Sequence, residues 1–274
     1  MKDPDIAVAE LARRIRVHCV KMTGRANASH IGSALSTADV LAVLYGKFLH
    51  FDPERPDWPN RDRFILSKGH ACTGLYAVLA ETGYIPVADL VSFCQNGSRL
   101  AGHATNKNVP GVEISSGSLG HGLSMSTGMA LAAKRDGAAH KIYCMVSDGE
   151  CDEGSTWEAA LFAPHHKLDN LVVIVDYNKI QSLGRVEDVI DLKPLAQKWQ
   201  AFGWGIREID GHDLDAIDQA FAAIPFEDGK PSCVIAHTVK GKGVSFMEDK
   251  LLWHYRAPRG ELLDQALAEL EPHR

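Results

Sequence analysis

The chain has 274 residues, is 45% hydrophobic and 23% charged, and carries a formal net charge of −6 with a pI near 6.1. This is a globular composition, long enough for one large α/β domain or two small ones. Its acidic balance, with Lys and Arg scattered, favours neither nucleic acid nor an anionic membrane as partner. No apolar run approaches the ~18 residues of a membrane span, and the first residues lead into a charged amphipathic stretch rather than a signal peptide. The six cysteines (Cys19, Cys72, Cys94, Cys144, Cys151, Cys233) show no CxxC and no paired spacing. That argues against zinc and disulfides and for reduced thiols in the cytoplasm.

In chain order, residues 5–22 predict a helix, with Ile6, Leu11, Ile15 and Val20 near helical spacing and Asp3-Pro4 as its start signal. Residues 24–33, with two glycines and many small residues, predict a loop. Ser36 or Thr37 is placed to cap a second helix bearing Val40, Leu41, Leu44 and Phe48 on its apolar face. Residues 51–62, rich in Pro and Asp, read as a surface connection. Residues 63–67 read as a strand, and Lys68-Gly69-His70 turns into a helix reaching about residue 82. A glycine turn at a helix start places His70 where an anion would sit. Residues 83–118 read mostly as loop, followed by a helix over 121–135. Gly117-Ser118-Leu119-Gly120-His121-Gly122 is not the dinucleotide fingerprint, which needs GxGxxG after a strand.

The central unit spans residues 141–180: strand, Asp148-Gly149-Glu150 turn, helix around 156–162, strand 171–176, then Tyr177-Asn178. Asp148 and Asn178 lie 30 positions apart. Neighbouring parallel strands bring their C-terminal ends together, and ligands of open α/β sheets bind just beyond those ends. A carboxylate and an amide oxygen are hard ligands suited to Mg²⁺ or Ca²⁺, and Mg²⁺ commonly shares such a site with phosphate oxygens. Gly149 would let a backbone N–H approach a phosphate. The unit therefore predicts a metal–diphosphate anchor. Beyond it, a helix over 194–202, strand 205–209, an Asp213-capped helix to 223, strand 232–236 and a last helix over 261–270 continue the alternation. A parallel sheet with helices on both faces follows, organised as a single domain over 1–274. His165-His166 read as a solvated loop, and Cys151 has no base at a recognisable spacing, so no nucleophile is expected there.

Ser147-Asp148-Gly149-Glu150 with Asp176-Tyr177-Asn178 resembles the thiamine-diphosphate motif, although Ser147 and Tyr177 replace a usual Gly and Asn. The segments Ala26 to His30, Arg61 to His70, Gly102-His103, Gly117 to Gly120, Lys240-Gly-Lys-Gly and Trp253-His254 are similar to transketolase motifs, in order and spacing. The resemblance covers nearly the whole chain and implies a three-layer thiamine-diphosphate-binding fold of the diphosphate-binding (PP) type. It implies thiamine diphosphate with Mg²⁺ or Ca²⁺ as cofactors. Asp148, Asn178 and the Ile180 carbonyl would hold the metal. Gly149, His70, Lys240 and His254 would hold the diphosphate, and Ser33, Gly117, Ser118 and Leu119 would line the cofactor. His30, His103 and His254 would face the sugar near the reacting carbon, where a His of near-neutral pKa can move protons. Glu153 matches an interface glutamate, though an acidic residue there would also suit a helix N-terminus. His121 stands where the family usually has Gln.

In the family, the glutamate that activates the cofactor and the residues gripping the sugar phosphate lie in a second domain. The sequence resembles the N-terminal subunit of a split transketolase, so a C-terminal partner subunit, in an α₂β₂ assembly, is expected to supply them. Reversible ketol transfer between sugar phosphates is the activity this implies. A subunit of a 2-oxo acid decarboxylase or dehydrogenase, and a non-catalytic cofactor-binding module, are the alternatives.

Overall fold

A computed structural model describes residues 7–271. Its elements in order are helices α1 (Val8–Ala26), α2 (Ile31–Leu35) and α3 (Ala38–Val43), strand β1 (Arg63–Leu66), α4 (Cys72–Glu81), α5 (Gly122–Arg135), β2 (Ile142–Ser147) and α6 (Gly154–His165). There follow β3 (Leu171–Tyr177), α7 (Val186–Val189), α8 (Leu195–Ala201), β4 (Gly205–Asp210), α9 (Leu214–Ala222), β5 (Ser232–His237) and α10 (Glu261–Leu270).

The five strands form one sheet in the order β1-β2-β3-β5-β4, and every pairing is parallel. Side chains alternate across a strand, and the cores follow that period. Phe64, Leu66, Tyr143, Met145, Val172 and Ile174 pack on one face with α1–α4, α9 and α10. Ile65, Cys144, Val146, Val173, Val175 and Ile235 pack on the other with α5, α6 and α8. With both faces covered, the central strands carry apolar residues in unbroken runs. This is the three-layer α/β arrangement expected.

Several boundaries differ from expectation. The predicted loop over 24–33 contracts to four residues, because α1 runs through Gly24 to Ala26 and α2 begins at Ile31. Gly24 serves packing: a Cβ there would lie 2.8 Å from Leu263 Cδ1 on α10. Neither Ser36 nor Thr37 caps a helix by its side chain. Thr37 Oγ1 donates to Ala34 O at 2.9 Å, Ser36 Oγ donates to Asp176 Oδ2 at 2.8 Å, and α3 passes into a wide turn at Leu44–Phe48. His165 ends α6 and His166 caps it, so this pair is a helix terminus rather than a loop. The short α7 was not anticipated. The Asp213 cap is present, its Oδ1 accepting from Asp215 N and Ala216 N at 3.0 and 3.1 Å. The Asp3-Pro4 start signal, with Asp5 and Ile6, lies outside the described residues.

Candidate functional site: a polar cavity at the sheet's C-terminal edge

A cavity of about 370 Å³ opens beyond the C-terminal ends of the strands. It brings together His30, Ser33, His70, His103, Gly117, Leu119, Asp148, Gly149, Glu153, Asn178, Ile180, Lys240 and His254, residues from separate stretches of chain. Ser118 is exposed and does not line it, nor does His121, whose ring Nδ1 lies 3.1 Å from Leu119 O. Gln181, Ser182 and Leu183, not singled out from sequence, form part of the rim.

Register fixes the oxygen-rich end. Ser147 on β2 pairs with Asp176 on β3, so Asp148 and Asn178 leave adjacent strand ends. Asp148 Oδ1 accepts from Gly149 N at 2.8 Å and Oδ2 from Lys179 N at 2.6 Å. Gly149 N–H is thus turned onto the Asp148 carboxylate. Asn178 Oδ1 accepts from Ile180 N at 3.2 Å, and the Ile180 carbonyl accepts from Lys240 Nζ at 2.7 Å. Burial, and then the nearby Asp176 carboxylate, push the Asp148 carboxyl up to about 6. Among the described residues no group of three or more His, Cys, Asp or Glu could hold a metal by itself. A single carboxylate, one amide oxygen and one carbonyl are instead the few hard oxygens that Mg²⁺ takes when phosphate and water complete its shell. The Lys240 ammonium sits on Ile180 O, and these oxygens are of the kind that the metal–diphosphate expectation requires.

Beneath this end lie buried contacts that the sequence did not reveal. Lys68 and Asp176, 0% and 2% exposed, form a buried ion pair. Lys68 Nζ also donates to Ser33 O at 3.1 Å. Asp176 further accepts from Ser36 Oγ, from Asn178 Nδ2 at 3.0 Å and from Thr238 Oγ1. Burial works to raise the Asp176 carboxyl, but Lys68 and these donors more than offset it and hold it below the usual range. A carboxylate so satisfied orients Asn178 toward the cavity. Glu150, fully buried, accepts from Ser67 Oγ, from Gly120 N at 2.8 Å and from Ser147 N at 3.4 Å. One carboxylate thus ties the end of β1, the glycine loop and the acidic turn together.

Beside the Lys240 ammonium four imidazoles converge. The His30 ring centroid lies 5.2 Å from His70, 5.5 Å from His103 and 5.0 Å from His254. His30 has left-handed backbone with φ of 74°, uncommon for a residue with a Cβ and a conformation that gathers at functional sites. It is held by its own N–H, which donates to His254 O at 2.9 Å. His254 Nδ1 lies 2.8 Å from Lys240 Nζ and so presents a lone pair to the ammonium. Burial lowers His30 to about 4 and His254 to about 3, with neighbouring positive groups adding to it, and burial takes His70 well below its usual value. Lys240 itself is lowered to about 8, chiefly by burial. His30, His70 and His254 are therefore neutral at neutral pH. Two glycines make room. A Cβ at Gly117 would come 3.1 Å from the His103 ring, and one at Gly32 would come 3.0 Å from Lys240 Cγ. Glu153 is the exposed N-cap residue of α6, without a side-chain capping bond.

Residues 7–261 match the family described as transketolase, thiamine diphosphate binding domain. The chain belongs to the transketolase family. It is 42% identical over 271 residues to the 6-deoxy-6-sulfo-D-fructose transketolase subunit SqwG of a Clostridium species, covering 99% of this chain and 98% of that one. It is 43% identical over 261 residues to a subunit of the apulose-4-phosphate transketolase of Actinobacillus succinogenes, covering 95% of this chain and 94% of the relative. Among solved structures, transketolase from Campylobacter jejuni superposes with a TM-score of 0.90 at 34% identity. That match covers 97% of this chain and 42% of the Campylobacter chain. The transketolase chain described here thus corresponds in length to relatives named as subunits, and to under half of the solved enzyme.

Proposed function

We propose that this chain is the diphosphate-binding subunit of a two-chain transketolase that moves a two-carbon ketol unit reversibly between sugars. One observation carries the proposal. A single cavity joins a hard-oxygen end with a buried ammonium to four imidazoles clustered about His30, one of which, His254, meets the ammonium. Residues 1–274 act as one PP domain in a soluble, cytoplasmic enzyme. Asp148, Asn178 and Ile180 O hold Mg²⁺ or Ca²⁺. Lys240, His70 and His254 hold the diphosphate, through charge and N–H donation, and Gly149 leaves room for it beside the Asp148 turn. Ser33, Gly117, Ser118 and Leu119 pack along the cofactor, and Glu153 faces the interface with the partner.

Thiamine diphosphate supplies an acyl-anion equivalent when bound. The chain's own residues bind, orient and move protons. His30, His103 and His254 stand at the substrate end. His30, held neutral, accepts a proton from a sugar hydroxyl at a ring nitrogen and returns it, while His254, its Nδ1 facing Lys240, donates from Nε2. The names of the relatives, given as subunits, support a C-terminal partner, in an α₂β₂ assembly, that supplies the remaining half of the site. The relatives are named for a sulfo sugar and a sugar phosphate, which supports a sugar with an anionic end as substrate. Xylulose 5-phosphate and ribose 5-phosphate are the first pair to assay.

The test is a ketol-transfer assay with thiamine diphosphate and Mg²⁺, using this chain alone and with its co-encoded partner. Activity in the mixture alone is expected. Equal turnover by the single chain would sink the split-site proposal, and pyruvate turnover without ketol transfer would assign the site to a 2-oxo acid enzyme.

A further inference from the structure

The Lys240 ammonium is carried by a turn, residues 239–243, that is fixed from three sides. Gly241 N–H donates to Gly32 O at 3.0 Å. Arg16 Nε donates to Lys242 O at 3.1 Å. Val239 N–H, one residue before Lys240, donates to His212 Nε2 at 2.8 Å. The other ring nitrogen of His212, Nδ1, lies 2.7 Å from Asp39 Oδ2. Asp39 is in turn clasped by Arg16, through Nη1 to Oδ1 at 2.9 Å and through Nη2 to Oδ2. Arg16 and Asp39 are both buried.

Hydrogen-bond chemistry dictates the protonation of that ring. A backbone N–H cannot accept, so Nε2 must present its lone pair. A carboxylate cannot donate, so Nδ1 must carry the proton. The neutral Nδ1–H tautomer alone satisfies both partners. A second proton, on Nε2, would set two N–H donors against each other 2.8 Å apart, and the bond to Val239 would be lost.

We propose that His212 is a positioning residue for Lys240: its Nδ1–H form, fixed by Asp39, latches the turn at Val239. This deepens the assignment of Lys240 to the diphosphate and rests on it for its consequence, though the latch itself does not. The ring is held from three elements: Asp39 on α3 takes its Nδ1–H, Arg16 on α1 holds Asp39, and Asp210 at the end of β4 fixes its backbone, Oδ1 accepting the His212 N–H at 2.8 Å.

The experiment is backbone hydrogen exchange at Val239 in the full chain, followed by NMR. In the wild type this amide should be protected. His212→Leu, with no acceptor, should lose that protection roughly tenfold, the loss of one buried hydrogen bond. His212→Gln, whose carboxamide oxygen accepts, should keep most of it. Protection in His212→Leu equal to that of the wild type overturns the proposal, and so does a loss in His212→Gln as large as in His212→Leu. If His212→Leu does not fold, an unprotected Val239 in the wild type overturns it. A parallel titration with thiamine diphosphate and Mg²⁺ separates the two levels: no binding by the wild type would remove the role given to Lys240 and leave the latch result standing.

Discussion

Lys240 and Ile180 are joined by a bond from the lysine ammonium to the isoleucine carbonyl oxygen, at 2.7 Å. That oxygen is a proposed metal ligand, so the lysine must share or yield it when the cavity fills. Its ammonium is then free to turn to a phosphate oxygen. A charge-assisted bond of this kind contributes about 1.5–3 kcal/mol. Lys240→Met should therefore weaken thiamine diphosphate binding roughly ten- to a hundredfold in calorimetric titration with Mg²⁺. An unchanged affinity would confine Lys240 to holding the Ile180 carbonyl.

The buried Lys68–Asp176 pair makes a second prediction. Removing one partner of a buried pair strands the other and costs about 3–5 kcal/mol. Lys68→Met should show a loss of that size in urea denaturation. Lys68→Met combined with Asp176→Asn should recover part of it, because no uncompensated charge remains. Additive losses in the double variant would show that the two residues do not act as a pair.

The neutral histidines give stability a direction with pH. In the unfolded chain an imidazole takes its proton near pH 6.5, whereas burial holds folded His30 and His254 down to about 4 and about 3. Between those limits the unfolded state binds more protons. Their contribution is complete above about pH 6.5, declines as the pH falls, and levels off once the folded rings protonate. Asp148, raised to about 6, acts in the opposite sense over part of the same range, so the comparison must be made against a variant. The urea midpoint of His30→Gln should fall less steeply with acid than that of the wild type. Parallel curves would mean that the His30 ring is not held neutral.

Two glycines provide a matched pair. A Cβ at Gly69 would lie 2.4 Å from the Ser116 carbonyl oxygen, and both are backbone held by a ladder in which Ala104 N donates to Gly69 O and Ser116 N to Ala104 O, each at 3.0 Å. Gly69→Ala should cost about 1–3 kcal/mol by overpacking and should shift the adjoining His70. At Gly128, on an exposed face of α5, an added Cβ meets nothing within 4 Å. Gly128→Ala should stabilise by about 0.5–1 kcal/mol through helix propensity. Equal thermal shifts for the two variants would refute the contact argument.

Patterns written locally were legible in the sequence. The apolar runs of β2 and β3, the bounds of α10 and the Asp213 cap need no partner distant in the chain to be recognised. The cavity residues came from motifs, and the cavity gathers all of them except Ser118. Glycine was the residue most misread. Gly24 and Gly32 suggested a loop, yet both sit in helices and exist for contact, one with Leu263 and the other with Lys240. The buried pairings of Lys68, Asp176 and Glu150 escaped notice for a related reason. Lys68 is 108 positions from Asp176, and Glu150 is 83 from Ser67. A lysine after a strand carries no local sign that its ammonium will be buried against a distant carboxylate.

Glu150 has a consequence for anyone who would rebuild this protein. Its one carboxylate serves Ser67, Gly120 and Ser147, so three loops that look interchangeable are inherited as one part. A graft that moved the residue 117–122 segment onto another parallel sheet would arrive with a buried N–H and nothing to receive it. The transplantable unit is the set of three loops with their glutamate. Engineering of substrate range is better directed at the exposed rim, where the Leu183 side chain stands 78% accessible.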